Sequence, residues 1–410
     1  MTPQESPRTH SLRIIRALTY VMFMMFAMTT DSVGVIIPEA IRQFRLTMTQ
    51  GAAFHYATMT AIGVSGILFG YLADRLGHKL TILAGLVLFA LNSFLFSRAD
   101  SFGMFLTLLA VSGVAIGVFK TGALALVGDI CVSTTDHTAT MNAVEGFFGV
   151  GAIIGPAVVA RLLASGIAWK WLYVIVGGLC AVLIVIAALV RYPNAPKRSS
   201  EPVDMGGTLR MMRNPFALGF SLGLFLYVAV ECAIYVWMPT YFADYHGRAP
   251  FMARYAISIF FLLRAGGRFL GAWMLARFNW AAVLTVFSLL ILACFSGGLA
   301  FGVDAAVFLL PLSGLFMSVI YPTINSKGIS CFPKAEHGTV AGVLLFFTCA
   351  AAALGPLAMG AVSDAFGQPR YGFVLATGFA GLLAAGLLLN WLLNPARERL
   401  KLQDGSDYAA

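Results

Sequence analysis

Charged side chains are scarce in this sequence. Asp, Glu, Lys and Arg make up only 11% of the 410 residues, whereas hydrophobic residues make up 59% and the mean hydropathy is +0.85. A water-soluble protein of this length would need far more charge to cover its surface. Apolar stretches of about 18 residues or more recur along nearly the whole chain, and each is long enough to cross a bilayer. The composition therefore predicts an all-α membrane protein with little room for a soluble domain.

Motifs for catalysis and for metal binding are also missing. The 6 cysteines are scattered without a Cys-x-x-Cys pair, so the sequence suggests neither a zinc site nor a disulfide framework. It contains no phosphate-binding loop, no Ser/His/Asp arrangement on a soluble scaffold and no nucleotide-binding domain. We therefore expect neither an enzyme nor a metal or organic cofactor.

Twelve apolar segments are predicted to cross the membrane as helices. The first is too long for a signal-peptide core and lacks a small-residue cleavage site, so we expect it to be retained. The predicted spans are 17–40, 51–73, 80–97, 103–130, 139–164, 171–191, 215–241, 251–276, 281–300, 305–330, 338–364 and 370–393.

Basic residues lie mainly in one set of the connections between these spans. The segments on the side of the N-terminus hold more Lys and Arg than the opposite loops, and the positive-inside rule therefore predicts that both termini are cytoplasmic. The expected location is a plasma membrane, such as a bacterial inner membrane. Because the basic residues are spread between spans, the net charge of +9 does not indicate a nucleic-acid partner.

The two halves of the chain repeat each other. Pro38 corresponds to Pro239 (239 − 38 = 201) and Gly70 to Gly271 (271 − 70 = 201), and a Gly-Pro pair recurs at nearly the same offset (355 − 155 = 200). The polar, proline-rich segment between the halves is predicted to be a linker. The predicted organisation is a six-helix bundle at 1–191, a cytoplasmic linker at 192–214, a second six-helix bundle at 215–393 and a cytoplasmic tail at 394–410.

The loop after the second span resembles a known signature. GYLADRLGHK at 70–79 is similar to the loop motif of the major facilitator superfamily, in which glycines allow close helix contact. The resemblance implies a conformational latch made by Asp74, Arg75 and Lys79. Arg268 belongs to a corresponding GRFLG signature in the second half and is assigned to the same latch.

Four further motifs resemble the fucose–galactose–glucose:proton symporter family. They are MNAVEGFFGVGAIIGP at 141–156, GRFLGAWMLARF at 267–278, FMSVIYPTINSKGI at 316–329 and a stretch that ends in GPLAMGAVSDAFG at 355–367. The resemblance implies twelve helices in two bundles, with a binding site between them near mid-depth. It implies a secondary active carrier that moves a monosaccharide or related polyol by alternating access, with a proton or sodium as the coupling ion. The expected partners are a small sugar and the lipid bilayer, and the expected state is a monomer.

Alternatives remain open at this point. The chain could instead be an organic-anion symporter that uses Lys120 and Arg264, a drug exporter with an aromatic and Met-rich cavity, or a nutrient sensor that binds without transporting.

Five charged side chains stand out inside the predicted spans. A charge near the bilayer centre costs roughly 2.5 to 3.5 kcal/mol on insertion scales, so each needs a partner, an aqueous cavity or a function. The five residues are Asp31, Lys120, Glu145, Glu231 and Arg264. The repeat makes Asp31 and Glu231 nearly equivalent, because 231 − 201 = 30.

The first half of this sequence differs from the family pattern at two acidic positions. Proton-coupled fucose carriers have acidic residues in helices 1 and 4, where this sequence has Gly34 and Lys120. We predict that Asp31 and Glu145 replace them, either as coupling or sugar-binding groups or as structural ion pairs with Lys120. Glu145 shares a helix face with Asn142, which forms a polar strip that could bind sugar hydroxyls or a proton.

In the second half, Glu231 has Tyr227 and Tyr235 at i−4 and i+4 on one predicted helix face. A carboxylate flanked by aromatic rings suits a sugar, although the tyrosines could merely keep Glu231 buried and protonated. Tyr321 and Asn325 lie on a neighbouring span, which the ring of Pro322 would allow to bend.

Arg264 lies one turn before Arg268 and is predicted to point towards mid-depth. It could bind an anion or neutralise an acid. Among the five selected residues, three acids against two bases leave one carboxylate over, which favours cation coupling with a neutral substrate.

Overall fold

The structure, a computed structural model, describes residues 7–69, 76–131, 134–192, 210–275, 277–332 and 337–400. These ranges are almost entirely helical, with a 3-10 turn at Phe96–Arg98 and a π-helical segment at Ala233–Trp237. The helices are α1 Pro7–Thr30, α2 Val33–Phe44, α3 Met48–Phe69, α4 His78–Leu95, α5 Phe102–Ile130, α6 Thr134–Ala164, α7 Trp171–Leu189, α8 Pro215–Cys232, α9 Met238–Tyr241, α10 Pro250–Arg254, α11 Ala256–Leu275, α12 Trp280–Ala300, α13 Val303–Met317, α14 Ile320–Ser330, α15 His337–Phe366 and α16 Arg370–Leu393.

The prediction of an all-α membrane protein is confirmed. Among the described residues, 11 helical stretches are long and apolar enough to cross a membrane. Helix α3, with 22 residues, lies at the predicted second span, so the predicted count of twelve is approximately supported. Three spans contain two α-helices each: α1 with α2, α8 with α9, and α13 with α14.

The chain forms two compact units. Unit 1 comprises Met1–Arg45 and Ala53–Glu201, and unit 2 comprises Leu46–Ala52 and Pro202–Ala410. Most of the predicted linker, from residue 193 to 209, lies outside the described residues, as do residues 401–410 of the predicted tail. The predicted domain boundaries therefore stay a prediction.

Unit 1 is held by aromatic packing and by close helix contacts. The rings of Phe96 and Tyr173 stack with centroids 3.8 Å apart and join α7 to the end of α4. A Cβ atom on Gly85 of α4 would lie only 2.7 Å from the backbone nitrogen of Phe119, so α4 and α5 touch through their backbones. The buried amide of Asn92 adds a polar link, because it donates to the carbonyl of Leu108 at 2.8 Å.

Unit 2 has an equally tight contact between α11 and α13. A Cβ atom on Gly314 of α13 would lie 2.5 Å from the carbonyl oxygen of Phe260 on α11. One on Gly267 of α11 would lie 2.8 Å from the hydroxyl of Ser318. Small residues in membrane helices permit such close approach, and van der Waals packing then stabilises the pair. The contact fixes α11 beside the end of α13.

Backbone breaks interrupt the spans at specific places. The tenth span breaks at Ser318 and Val319, one turn before Pro322, because a proline ring clashes with the carbonyl four residues earlier. In the seventh span Pro239 follows Tyr235 by four residues, and Tyr235 lies within the π-helical segment. The first span breaks at Asp31, between α1 and α2. Backbone carbonyls near such breaks can accept hydrogen bonds from side chains.

Two adjacent glycines of α11 provide a test of this packing. Gly267→Ala should lower the melting temperature of the purified protein, since overpacking costs about 1–3 kcal/mol. Gly266→Ala is the control, because no atom lies within 4 Å of a Cβ there. That control should leave the melting temperature unchanged or slightly raised, as alanine is the better helix former. Equal melting temperatures for the two variants would contradict the close contact.

Candidate functional site

A buried ion pair joins α8 to α11 in unit 2. The Nη1 atom of Arg264 contacts the Oε1 atom of Glu231, and the side chains are only 20% and 10% exposed. Glu231 lies on α8 at the last turn before the π-helical segment. Two charges of opposite sign in contact can remain ionised in a lipid environment that would strongly oppose either charge alone.

Tyr227 connects this pair to a third helix. Its hydroxyl lies 3.2 Å from the Oε1 atom of Glu231 and 3.0 Å from the carbonyl oxygen of Met317. A phenol has a single proton to donate, so these two acceptors compete for it. Met317 is the last residue of α13 before the break. The conformation of the tenth span is therefore coupled by hydrogen bonding to the site of the ion pair.

The aromatic ring of Tyr321 lies beside this group. Its centroid is 6.2 Å from that of Tyr227, and the residue is half-buried on α14. Asn325 lies one turn further along α14 and is also half-buried. We use the name unit-2 polar cluster for Tyr227, Glu231, Arg264 and Tyr321. The cluster combines a carboxylate, a guanidinium and two aromatic rings, which are groups that bind sugar hydroxyls and the C–H faces of sugars.

Tyr235 lies within the π-helical segment. Its hydroxyl is 2.9 Å from the Sγ atom of Cys232, and its ring stacks near Phe261 at a centroid distance of 6.5 Å. The wider helical turn changes the register that the i+4 spacing assumed. The assignment of Tyr235 to the binding site stays a prediction.

In unit 1, Asp31 lies at the break between α1 and α2. The hydroxyl of Thr30 donates to the Oδ2 atom of Asp31 at 2.8 Å. The amide of Asp31 still donates to the carbonyl of Ala27, and Ser32 donates from its hydroxyl to the carbonyl of Met28. Asp31 is half-buried, and local hydroxyl groups surround the break.

Lys120 of α5 lies beside an aromatic ring of α6. Its ammonium lies 5.8 Å from the centroid of the Phe148 ring, within reach of a cation–π interaction. Glu145 is exposed on α6, and the side chain of Asn142 lies outside the described residues. Functional roles remain predictions for four residues of unit 1: Asp31, Lys120, Asn142 and Glu145.

The predicted latch is described only in part. Asp74 and Arg75 lie outside the described residues. The ammonium of Lys79 donates to the carbonyls of Ala188 and Val190 at 2.7 and 2.9 Å, and it therefore caps the C-terminal end of α7. Arg268 is half-buried on α11, one turn after Arg264. The latch function stays a prediction for Asp74, Arg75, Lys79 and Arg268.

The aromatic residue at the end of this span also contacts Lys79. The ring centroid of Tyr192 is 5.7 Å from the ammonium. Burial raises the pKa of the Tyr192 phenol to about 12, so the ring stays neutral at physiological pH. A neutral phenol keeps the electron-rich face that a cation prefers.

Sequence reasoning found every side chain of the unit-2 polar cluster but missed the backbone group. The carbonyl of Met317 has no signature of its own in the sequence. The one available signal is Pro322, since a proline predicts a disturbed carbonyl about one turn earlier.

Comparison with known proteins identifies the family. The sequence profile of the Major Facilitator Superfamily matches residues 19–356. The chain is 24% identical over 407 residues to the L-fucose-proton symporter of Escherichia coli K12, covering 89% of this chain and 90% of that protein. It is 23% identical over 366 residues to a glucose/galactose transporter of Brucella abortus, covering 84% and 87% of the two chains.

A solved structure shows the same fold. The crystal structure of the nucleoside transporter NupG matches with a TM-score of 0.72 at 15% sequence identity, covering 93% of this chain and 99% of that one. The profile covers well over half of the chain, and both relatives align along most of their length. This protein therefore belongs to the major facilitator superfamily, and it is a multi-pass membrane transporter rather than an enzyme.

Proposed function

We propose that this secondary transporter carries a monosaccharide or a related polyol by symport with a cation, a proton or sodium. The observation that carries the proposal is the buried Glu231–Arg264 pair, hydrogen-bonded by Tyr227 to the broken tenth span. The two relatives are named as transporters of fucose, glucose and galactose, and one of them is named as a proton symporter. Both the cluster's chemistry and these names support a neutral, hydroxyl-rich substrate.

The geometry suggests how protonation could be coupled to movement. While Glu231 is ionised, Arg264 and Tyr227 both bind its carboxylate. Protonation removes the negative charge, so the attraction of Arg264 is lost and Tyr227 can donate to Met317 alone. The released guanidinium could then donate to sugar hydroxyls, while the Tyr321 ring packs against the sugar. Because the break at Met317 depends on the same hydroxyl, protonation would change the relative energies of two conformations of the tenth span.

The neutrality of the Glu231–Arg264 pair favours a neutral substrate over an anion. The guanidinium of Arg264 is already matched by the carboxylate of Glu231, so the pair is neutral as a whole. An anion would have to compete with Glu231 for Arg264 inside a low-dielectric site. A neutral solute meets no such competition, and cation binding at the acid provides the coupling.

Replacing Glu231 tests the coupling. In proteoliposomes, Glu231→Gln should abolish accumulation of L-fucose, D-glucose or D-galactose under an imposed proton or sodium gradient, because glutamine cannot bind the cation. Exchange of internal for external sugar should continue, since it needs no net cation movement. Asp31→Asn, at the repeat-related position, should be measured beside it.

Glu39→Gln is the matched control. Glu39 pairs with Arg42 at 3.4 Å, and that pair is 65% exposed at Arg42 and 36% at Glu39, so its loss should leave accumulation unchanged. Unchanged gradient-driven accumulation in both Glu231→Gln and Asp31→Asn would rule out both acids as coupling groups. Specific sugar binding without flux under any gradient would favour a sensor instead.

The pairing of Arg264 with Glu231 predicts a recovery in a double variant. Arg264→Gln leaves a buried carboxylate without its counter-charge, and breaking such a pair typically costs about 3–5 kcal/mol. The melting temperature should therefore fall strongly in Arg264→Gln and return towards the wild-type value in Arg264→Gln/Glu231→Gln. An anion carrier would behave differently: Arg264→Gln would keep its stability and lose affinity for anions such as gluconate.

We also propose a plasma-membrane location with both termini in the cytoplasm, from the distribution of basic residues. A fluorescent protein that folds only in the cytoplasm, fused after Ala410, should fluoresce in cells. A fused alkaline phosphatase, which is active only outside the cytoplasm, should be inactive there. The opposite pair of results would reverse the orientation.

A further inference from the structure

A long apolar groove runs along unit 2. It encloses about 510 Å³ between α8 and α16, with Trp280 at the start of α12 and Ile324 of α14 also in its wall. Leu222, Leu389 and Leu393 lie along it and are 47%, 55% and 74% exposed. We call this feature the acyl groove.

Two exposed glycines line the acyl groove. Gly219 of α8 and Gly386 of α16 both line it, and at each of them a Cβ atom would meet no atom within 4 Å. These glycines are therefore unlike Gly267 and Gly314, which bring helices into contact. They leave open space that an unbranched hydrocarbon chain could occupy.

The depth of the groove matches one leaflet of a bilayer. Along α8 it extends from Pro215 to Leu226. At a rise of about 1.5 Å per residue this is roughly 16 Å, which is about half of a hydrocarbon core of about 30 Å. The length of the groove therefore fits the distance from a membrane surface to the bilayer midplane.

Positive charge is concentrated where the groove meets that surface. The guanidinium of Arg399 lies 4.2 Å from the ring centroid of Phe216, a residue of the groove wall. Arg397 directly follows Ala396, also in the wall, and Arg213 lies two residues before Pro215. Glu398 is the one acidic residue among the described positions 394–400, so this end of the groove carries net positive charge.

Two helix N-termini add to the positive potential. Both α8 and α12 begin at the groove, at Pro215 and Trp280. The helix dipole places positive potential at each N-terminus, while the amides of Phe216 and Ala281 already donate to the capping side chains of Asn214 and Asn279. Trp280 is also the type of residue that lies at the level of lipid headgroups.

We propose that the acyl groove binds an anionic phospholipid. One acyl chain fills the glycine-lined groove, and the phosphate lies against Arg213, Arg397 and Arg399. The occupant follows from charge complementarity, since basic residues beside an apolar groove between membrane helices complement an anionic headgroup carrying acyl chains. A zwitterionic lipid would place a cation in the same positive region.

Lipid titration of the purified full chain tests the proposal. In detergent, delipidated protein is titrated with phosphatidylglycerol, with phosphatidylcholine of the same chains, and with inorganic phosphate. Phosphatidylglycerol should raise the melting temperature in a saturable way, because a ligand that binds only the folded state stabilises it. Native mass spectrometry should show one bound phosphatidylglycerol under the same conditions.

Two kinds of variant distinguish the site for the acyl chain from the site for the lipid headgroup. Gly386→Phe should fill the groove and abolish the shift, whereas Gly178→Phe, at another open glycine in α7, should leave it intact. Arg397→Gln and Arg399→Gln should each weaken phosphatidylglycerol binding roughly fivefold, the effect expected of one basic residue near a lipid surface. The arginine variants decide the matter if Gly386→Phe does not fold.

Three results would overturn the proposal. Equal shifts with phosphatidylcholine would show that the charge has no role. The same shift with inorganic phosphate would assign the arginines to a soluble anion. Full phosphatidylglycerol binding by a folded Gly386→Phe would place the lipid elsewhere. Sugar transport is not measured in any arm, so failure here leaves the proposed symport unaffected.

Discussion

An ionised side chain inside a bilayer must have a partner, and much of unit 2 follows from that constraint. Glu231 and Arg264 are each too costly to bury alone, and they lie on different helices. The fold must therefore hold α8 and α11 in register closely enough for the two side chains to meet. Tyr227 adds a third helix to the same arrangement by bonding the carbonyl of Met317. The charge pair and the Tyr227 hydrogen bond thus link three spans.

Small residues and prolines make that placement possible. Gly267 and Gly314 bring α11 against α13 at backbone distance, which positions Arg264 beside the end of α13. Pro322 removes a backbone hydrogen bond one turn after Met317, where the helix breaks. The side chain of Tyr227 then satisfies the carbonyl at the break. Packing, backbone geometry and charge neutralisation depend on one another here, so changing any one of them should disturb the others.

Much of this architecture could be predicted from the sequence, because hydrophobic length and repeat spacing are properties of the chain alone. The scarcity of Asp, Glu, Lys and Arg made the few charged residues near mid-span conspicuous, and two of these, Glu231 and Arg264, form a pair. Lys120 shows the limit of such reasoning. Its ammonium lies over Phe148, a choice among nearby partners that depends on helix rotation. The position of Tyr235 likewise depends on a π-helical turn that spacing arguments do not include.

The two halves share glycines and prolines at the repeat offset, but not all of their charged residues repeat. An offset of 201 that aligns Gly271 with Gly70 aligns Arg264 with Gly63, because 264 − 201 = 63. No atom lies within 4 Å of a Cβ at Gly63, so α3 has open space where α11 carries a guanidinium. Asp31 and Glu231 therefore occupy repeat-related positions with different charged and polar neighbours. Under the proposed symport, this asymmetry would let one of the two acids bind the coupling cation while the other has a structural role.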